Sequence, residues 1–235
     1  MTMAEETGGL YMPGLIRSYP GTTVVAPATI YMPPSVGAAQ LKLLAKSLLR
    51  QGFRRQVYIS AGQGPAPLTV GTLVREFFDE THVPILYIEM DHHLTRLKIS
   101  PEARVSTLYG AHAITGRLED LPLQGDYGAA ESEAAGPVPV NEGLAALGKL
   151  GFSGSLTLGS WIADVMAHGG ANANLPKTAA ERAQRGEQGQ TRIAGIVRQM
   201  RIPEAMEALR KHDRYTQETI VPKLGHWLPK PRDHH

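Results

Sequence analysis

Hydrophobic and polar positions follow a helical period in the stretch GAAQLKLLAKSLLRQ, residues 37–51. Leu41, Leu44, Leu48 and Leu49 fall on one face of a helix, and the lysines and arginine fall elsewhere around the axis. Gly52 follows directly, and glycine commonly ends a helix because it tolerates a left-handed backbone. The pattern predicts an amphipathic helix over residues 37–51 that is closed by Gly52.

Short apolar runs lie on both sides of a second helical pattern. The run QVYIS occupies residues 56–60, PILYIEM occupies residues 84–90, and a helix is predicted between them over about residues 69–80. A strand, helix and strand with short connections predict parallel strands in an α/β sheet. The β-branched run at 21–31 predicts a further strand or extended edge.

The rest of the chain has a more helical pattern. Helices are predicted over residues 101–120, 177–200 and 203–214, and a strand over residues 155–158. Residues 122–143 are rich in Gly, Ala, Pro and Glu and predict a long surface loop. We therefore expect a single α/β domain over residues 1–235, of which 201–235 form a C-terminal helix and a proline-rich tail.

Composition narrows the class of protein. The chain has 235 residues and is 42% hydrophobic, which is enough for a buried core. Its net charge of +2 is spread along the chain without a basic stripe, which argues against a nucleic-acid partner. The absence of cysteine excludes disulfides, thiolate metal sites and a cysteine nucleophile. No apolar run approaches the roughly 18 residues of a membrane span, so we expect a cytoplasmic protein without a membrane partner.

The loop that follows the first strand, AGQGP at residues 61–65, contains no ionisable side chain. A glycine-rich loop before a helix can bind a phosphate through backbone N–H groups. However, a dinucleotide-binding motif needs a third glycine where Pro67 stands, and Pro65 has no N–H to donate. The pattern favours a tight strand-to-helix turn over a phosphate site.

The densest group of possible ligands follows the second strand, in the stretch EMDHH at residues 89–93. The carboxyl ends of parallel strands face the crevice in which α/β proteins bind ligands. Carboxylate and imidazole groups such as Asp91 and His93 can coordinate Zn²⁺, Mn²⁺ or Fe²⁺. Two interpretations remain open: a pocket or metal site, or a solvated strand end from which Asp91 and His93 point outward.

His112 has a possible acid–base partner seven residues further along. On a continuous helix, residues 112 and 119 share a face, so His112 and Glu119 could act as a general acid–base pair. The alternative is a helical histidine that is capped by neighbouring polar groups and has no catalytic role.

Several stretches resemble the creatininase family, the metal-dependent amidohydrolases that open cyclic amides. The similar segments occur in family order: MPGL (12–15), YPGTT (19–23), LLRQGFRRQVYIS (48–60), GAHA (110–113) and ANLPKTAAERAQRG (173–186). The resemblance implies a layered α/β/α sandwich with a mostly parallel central sheet, and an oligomer. It also implies an N-terminally truncated member, because the family carries ligands in a Glu-x-His-Gly…Asp motif before MPGL, and only eleven residues precede Met12 here.

The chain departs from the family's pattern at the end of the first strand. The family has Asn-Gly-His-x-Glu or Asn-Gly-His-Gly-x-Asn there, and its histidine binds metal. This chain has Ala61-Gly62-Gln63 instead, with Pro65 in the place of the glutamate of the first variant. A side-chain amide is a weaker ligand than imidazole, and proline offers no ligand. The resemblance therefore implies a degenerate dinuclear metal site.

These observations lead to three hypotheses of function. In the first, the chain is a subunit or partner of an amidohydrolase-type hydrolase in small-molecule metabolism, in a homo-oligomer or beside a full-length family member. In the second, it is an enzyme with a relocated Asp/His site that acts on a small cyclic or polar substrate. In the third, it is a small-molecule binding module that uses the loop at residues 61–65. A divalent metal (Zn, Mn or Fe) would bind at a site outside the family's pattern or come from the partner chain.

The candidate residues divide into three roles. The catalytic candidates are His112, Glu119 and Asp91. The metal-ligand candidates are Asp91 and His93. The substrate-binding candidates are Tyr19, Gly62, Gln63, His92 and His93.

Overall fold

The computed structural model describes residues 3–12, 19–20, 31–60, 66–121, 123, 142–150 and 176–230. The strands within this part are β1 (Tyr19–Pro20), β2 (Tyr31–Met32), β3 (Val57–Ser60) and β4 (Leu86–Glu89). Its α-helices are α1 (Met3–Thr7), α2 (Pro34–Arg50), α3 (Ala66–Thr81), α4 (Met90–Arg96), α5 (Pro101–Ile114), α6 (Glu142–Lys149), α7 (Ala179–Met200), α8 (Ile202–Tyr215) and α9 (Val221–Leu224). The predicted strands at 21–30 and 155–158, and nearly all of the predicted loop at 122–143, lie outside the described residues.

The chain divides into two compact units. The first contains Met1–Thr22, Ile30–His93 and Arg201–His235, and the second contains Thr23–Thr29 and Leu94–Met200. None of the helices within the described ranges is both long enough and apolar enough to cross a membrane.

Where the structure describes the first unit, its strands form two parallel pairs. β1 pairs with β2, and β3 pairs with β4 in a register that runs from Val57 opposite Leu86 to Ser60 opposite Glu89. The predicted parallel arrangement of the two apolar runs is confirmed, with α3 connecting β3 to β4. The described part of the chain is a mixed α/β structure that is mostly helical.

Helix α2 ends as its sequence predicts. Gly52 has a φ of +92°, a left-handed backbone conformation that is strained for residues with a side chain. This turn lets the backbone N–H of Phe53 donate to the carbonyl of Leu48 at 2.9 Å, which closes a Schellman motif. The prediction that Gly52 closes this helix is confirmed.

The core of the first unit lies where α2 and α3 pack against β3 and β4. Its fully buried centre includes Leu73 and Phe77 of α3 and Ala45 of α2. Gln56 is buried beside this core, and its amide donates to the carbonyl of Ala45 at 2.9 Å. The hydroxyl of Tyr58 donates to the Gln56 side-chain oxygen at 2.8 Å, so this buried polar pair is hydrogen-bonded.

A group of ion pairs joins α2 to α3 at the edge of the core. Lys42 Nζ lies 2.5 Å from Glu76 Oε2 and 3.0 Å from Glu80 Oε1, and Lys46 pairs with the other oxygen of Glu80. Burial opposes ionisation of Glu80, but hydrogen bonds from Lys46 and Lys42 outweigh it, and the pKa of Glu80 lies below its ordinary value. Because Lys46 is itself buried, the carboxylate of Glu80 is its necessary counter-charge.

We expect Glu80→Gln to lower the free energy of unfolding by about 1–3 kcal/mol at neutral pH, because it leaves the buried Lys46 without a counter-charge. The lowered pKa of Glu80 stabilises the fold above the pKa of an unfolded glutamate, and this stabilisation is lost as pH falls through the folded pKa. Urea unfolding between neutral and acidic pH should therefore show a shallower acid dependence in the variant. Glu76→Gln is the control, because Glu76 is half exposed and its ion pair is worth less than about 1 kcal/mol. Equal losses in the two variants would contradict this account.

The segment that follows α8 is helical for longer than predicted. Instead of entering a proline-rich tail after residue 214, the chain continues through a π-helix (Thr216–Ile220) into α9. A proline ring clashes with the carbonyl four residues earlier in a regular α-helix, and the wider π-turn just before Pro222 relieves that clash. Gln217 also donates from its side chain to the carbonyl of His82 at 2.7 Å, which joins this region to the end of α3.

The second unit is built on the packing of α5 against α7. Gly110 and Gly189 face each other so closely that a Cβ atom on Gly189 would lie 2.0 Å from the carbonyl oxygen of Ser106. Arg192 of α7 donates to the carbonyl of Ala103 at 3.1 Å across the same interface. The two helix backbones are therefore in direct contact at this point.

Helix α5 ends earlier than the sequence predicts. It stops at Ile114, Gly116 has a φ of +67°, and Leu118–Asp120 form a separate 3-10 turn. The prediction of one helix over residues 101–120 is wrong, because the left-handed Gly116 breaks the helical hydrogen bonding. His112 and Glu119 consequently do not share a helical face.

Candidate functional site

The carboxyl ends of β3 and β4 bring polar groups together in the first unit. Ser60 is the last residue of β3 and pairs with Glu89, the last residue of β4. The Ser60 hydroxyl lies 2.7 Å from the hydroxyl of Tyr87, on the same side of the strand pair. Burial raises the pKa of Tyr87, so its hydroxyl is neutral and able to donate a hydrogen bond at ordinary pH. This edge of the sheet is the candidate functional site, because α/β proteins bind ligands where parallel strands end.

Glu89 determines the geometry of the stretch that follows it. Its Oε2 atom accepts a hydrogen bond of 2.8 Å from the backbone N–H of His92, in the manner of a helix N-cap. Met90 is therefore the first residue of α4 rather than the last of the strand. The interpretation of Asp91 and His93 as an alternating strand end is wrong, because the Glu89 carboxylate satisfies a backbone N–H group of a helix.

The histidines that follow lie on the first turn of α4. The His92 side chain is exposed and the His93 side chain is half-buried. Their rings are 6.3 Å apart between centroids and nearly perpendicular. Asp91 belongs to α4, but its side chain lies outside the described part of the structure. The helix thus presents imidazole groups close to the end of β4.

Of the other substrate-binding candidates, Tyr19 lies in a strand, and Gly62 and Gln63 lie outside the described residues. Tyr19 pairs with Tyr31 in the two parallel strands β1 and β2, and β1 contacts α2 and α3. Gly62 and Gln63 lie outside the described residues, between the end of β3 and the start of α3. In the sequence, only Ala61 separates Ser60 from Gly62.

A bound metal ion needs several ligands that converge on one point. Within the described ranges, no three His, Asp or Glu side chains come together as a metal-binding group. The proposed ligands Asp91 and His93 are two residues apart at the start of one helix. A metal held by this pair would need further ligands from elsewhere.

His112 lies in the last turn of α5, in the second unit. Its Nδ1 atom is 3.2 Å from the carbonyl oxygen of Arg117, so Nδ1 carries the proton that is donated. In the neutral ring this tautomer leaves the lone pair on Nε2. The contact orients the imidazole and also ties the turn after α5 to the helix.

Glu119 is engaged by Arg182 of α7. The Arg182 guanidinium pairs with the Glu119 carboxylate and also donates to the carbonyl of Leu121 at 2.8 Å. Arg182 is buried whereas the Glu119 side chain is mostly exposed. The pair fastens the 3-10 turn to α7, which is a structural role. The candidates thus divide between units, with Asp91, His92 and His93 in the first and His112 and Glu119 in the second.

A groove on the second unit was not predicted from the sequence. It has a volume of about 450 Å³ and is lined by Ile99 and by one side of α7, including Thr191, Arg192 and Ile196. The guanidinium of Arg192 is already engaged with α5 through Ala103 and Ser106. The groove is open to solvent and its charged lining residue, Arg192, is already paired, so the edge of β3 and β4 remains the better candidate site.

Comparison with known proteins identifies no relative of this chain. No family model, no curated protein and no solved structure matches the chain.

Proposed function

We propose that this chain is a diverged creatininase-like protein that acts as a subunit or partner of an amidohydrolase-type hydrolase in small-molecule metabolism. The proposal includes the family's layered α/β/α sandwich with a mostly parallel central sheet. In this arrangement the chain contributes part of a substrate pocket, while the divalent metal ions are held by another subunit.

The observation that carries the proposal is the strand–helix–strand unit formed by β3, α3 and β4. Parallel pairing of β3 with β4 brings Ser60 and Glu89 to one edge, and residues 61–65 follow directly from that edge. This is where the resemblance expects a metal-binding histidine. The chain has Gln63 and Pro65 instead, and these cannot replace imidazole and carboxylate as ligands of two divalent cations.

The groups at this edge are suited to binding a small polar molecule. The hydroxyls of Ser60 and Tyr87 are neutral hydrogen-bonding groups, and the exposed His92 imidazole lies on the adjoining helix turn. Such groups can orient a cyclic amide by its carbonyl and N–H atoms. They can do so without supplying a metal.

The first test is enzymatic. The purified chain, assayed with creatinine and other small cyclic amides in the presence of Zn²⁺ or Mn²⁺, is expected to show no turnover, because its own residues do not complete the family's metal site. An affinity-tagged chain recovered from its own cells is expected to co-purify with a hydrolase subunit that bears the His and Glu ligands. The co-purified complex should open a cyclic amide.

Turnover by the isolated, metal-free chain would contradict the subunit proposal. The same assay on single variants would then identify the relocated site. His93→Ala reports on the end of β4, and His112→Ala reports on the end of α5. Saturable binding of a cyclic amide without turnover, and without any co-purifying subunit, would instead assign the chain to the binding modules.

A further inference from the structure

The most exposed aromatic side chain among the described residues belongs to the segment that contains α9 and the residues just after it. We call residues 221–230, VPKLGHWLPK, the Trp turn. Trp227 is 79% exposed, and Leu224 beside it is 45% exposed. A large aromatic ring so open to water is costly to leave unburied and is typical of a contact with a partner.

Backbone hydrogen bonds define the conformation of the Trp turn. The backbone N–H of Trp227 donates to the carbonyl of Leu224 at 2.8 Å, and the N–H of Gly225 donates to Val221 at 2.9 Å. A Cβ atom on Gly225 would lie 2.5 Å from the Val221 carbonyl oxygen, so the turn requires glycine here.

A contact between residues distant in sequence holds the C-terminal end of the Trp turn against the end of α3. The ring Nε2 atom of His82, at the end of α3, lies 2.9 Å from the carbonyl oxygen of Pro229. Trp227 is therefore presented by a preformed turn, and docking it costs little backbone entropy.

The charge of the Trp turn indicates the chemistry of its partner. Lys223 and Lys230 are exposed, and the stretch from 221 to 230 contains no acidic residue. A complementary surface would combine apolar side chains with carboxylates.

The same chain carries such a surface at residues 3–12, MAEETGGLYM, which we call the acidic arm. The arm has Glu5 and Glu6 and no basic residue. Leu10 is 84% exposed and Tyr11 is 78% exposed. Because the arm and Trp227 are both exposed in a single chain, neither covers the other within one copy.

We propose that the Trp turn of one copy docks on the acidic arm of a second copy. Trp227 and Leu224 pack on Leu10 and Tyr11, while the lysines of the turn face the carboxylates of the arm. The contact joins two different surfaces, so the association is head-to-tail and forms a ring or an open chain. It goes beyond the proposed function and does not depend on it.

Neither surface is extensive. The Trp turn and the acidic arm are about ten residues each, which is fewer than the roughly 20–30 residues per side of a standard stable interface. We therefore expect reversible self-association that responds to concentration and weakens as salt screens the charges.

The test is sedimentation equilibrium of the full chain at concentrations from about 1 μM to about 1 mM, the range in which weak contacts are populated. Trp227→Ala is expected to weaken self-association by about tenfold or more, because it removes the central aromatic anchor. Leu108→Ala, at an exposed apolar position on α5, is the matched control and should associate like the wild type.

A charge exchange identifies the second surface. Lys223→Glu should weaken association, and adding Glu6→Lys to the same chain should restore it by re-forming the opposite-charge pair between copies. A wild-type chain that stays monomeric at every concentration overturns the proposal. It is equally overturned if Trp227→Ala associates like the wild type, or if the double variant associates no better than Lys223→Glu. None of these outcomes involves cyclic-amide turnover, so failure here is distinct from failure of the proposed function.

Discussion

Replacing Gly189 by alanine is expected to lower the stability of the second unit by about 3 kcal/mol or more, because α5 and α7 would have to move apart. The new Cβ atom would lie 2.0 Å from the carbonyl oxygen of Ser106 and 2.5 Å from the backbone nitrogen of Gly110. Both atoms belong to the backbone, so no side-chain rotation can relieve the overlap. Contacts such as the one from Arg192 to Ala103 would be lost with the separation.

Hydrogen exchange with mass spectrometry measures this loss where it occurs. Backbone N–H groups of α5 and α7 should exchange faster in Gly189→Ala, because local opening becomes easier. Gly195→Ala is the matched control on the same helix, since its Cβ atom would meet nothing within 4 Å. Alanine there should stabilise α7 by about 0.5–1 kcal/mol through its better helix propensity. If both variants retained wild-type protection, the close packing of α5 on α7 would be wrong.

Phe77→Ala is expected to be equally severe in the first unit, at about 3–5 kcal/mol. The Phe77 ring is fully buried in the centre of the core formed by α2, α3 and the strand pair. Its removal leaves a cavity between two helices that are also joined by ion pairs, so the site cannot collapse freely. Helix α3 joins β3 to β4, whose carboxyl ends form the candidate site, so the site should lose its order together with the core.

Thermal and urea unfolding, followed by circular dichroism, measure the loss of stability in Phe77→Ala. Leu43→Ala is its control, because Leu43 lies on the solvent side of α2 with 69% of its surface exposed. We expect that control to change the free energy of unfolding by no more than about 0.5 kcal/mol. A small loss in Phe77→Ala, similar to that in Leu43→Ala, would show that Phe77 is not at the centre of the core.

The elements with a clear period were predictable from the sequence. The apolar stripe of residues 37–51 corresponds to α2, and the two apolar runs correspond to β3 and β4. The predicted helices over 69–80, 177–200 and 203–214 correspond to α3, α7 and α8 with small shifts at their ends. These elements were predictable because burial on one face leaves a repeat in the order of residues.

The candidate site was less predictable, because its geometry depends on single hydrogen bonds. The carboxylate of Glu89 caps α4, so the chain is helical from Met90 onward instead of continuing as the end of a strand. The left-handed Gly116 ends α5 before Glu119 can share a face with His112. Apolar periodicity does not encode either event.

The order of residues by itself determined that α2, α3, α7 and α8 are helices, that β3 and β4 are parallel strands, and that Gln63 stands where the resemblance expects a histidine. Only the tertiary structure decided that Gly189 meets Gly110 and that His82 contacts Pro229, which lies 147 residues further along the chain. The physical reason is the separation along the chain of the residues that make each contact. A helix or strand records its buried face within a few neighbouring residues, whereas contacts between distant segments depend on how whole elements pack.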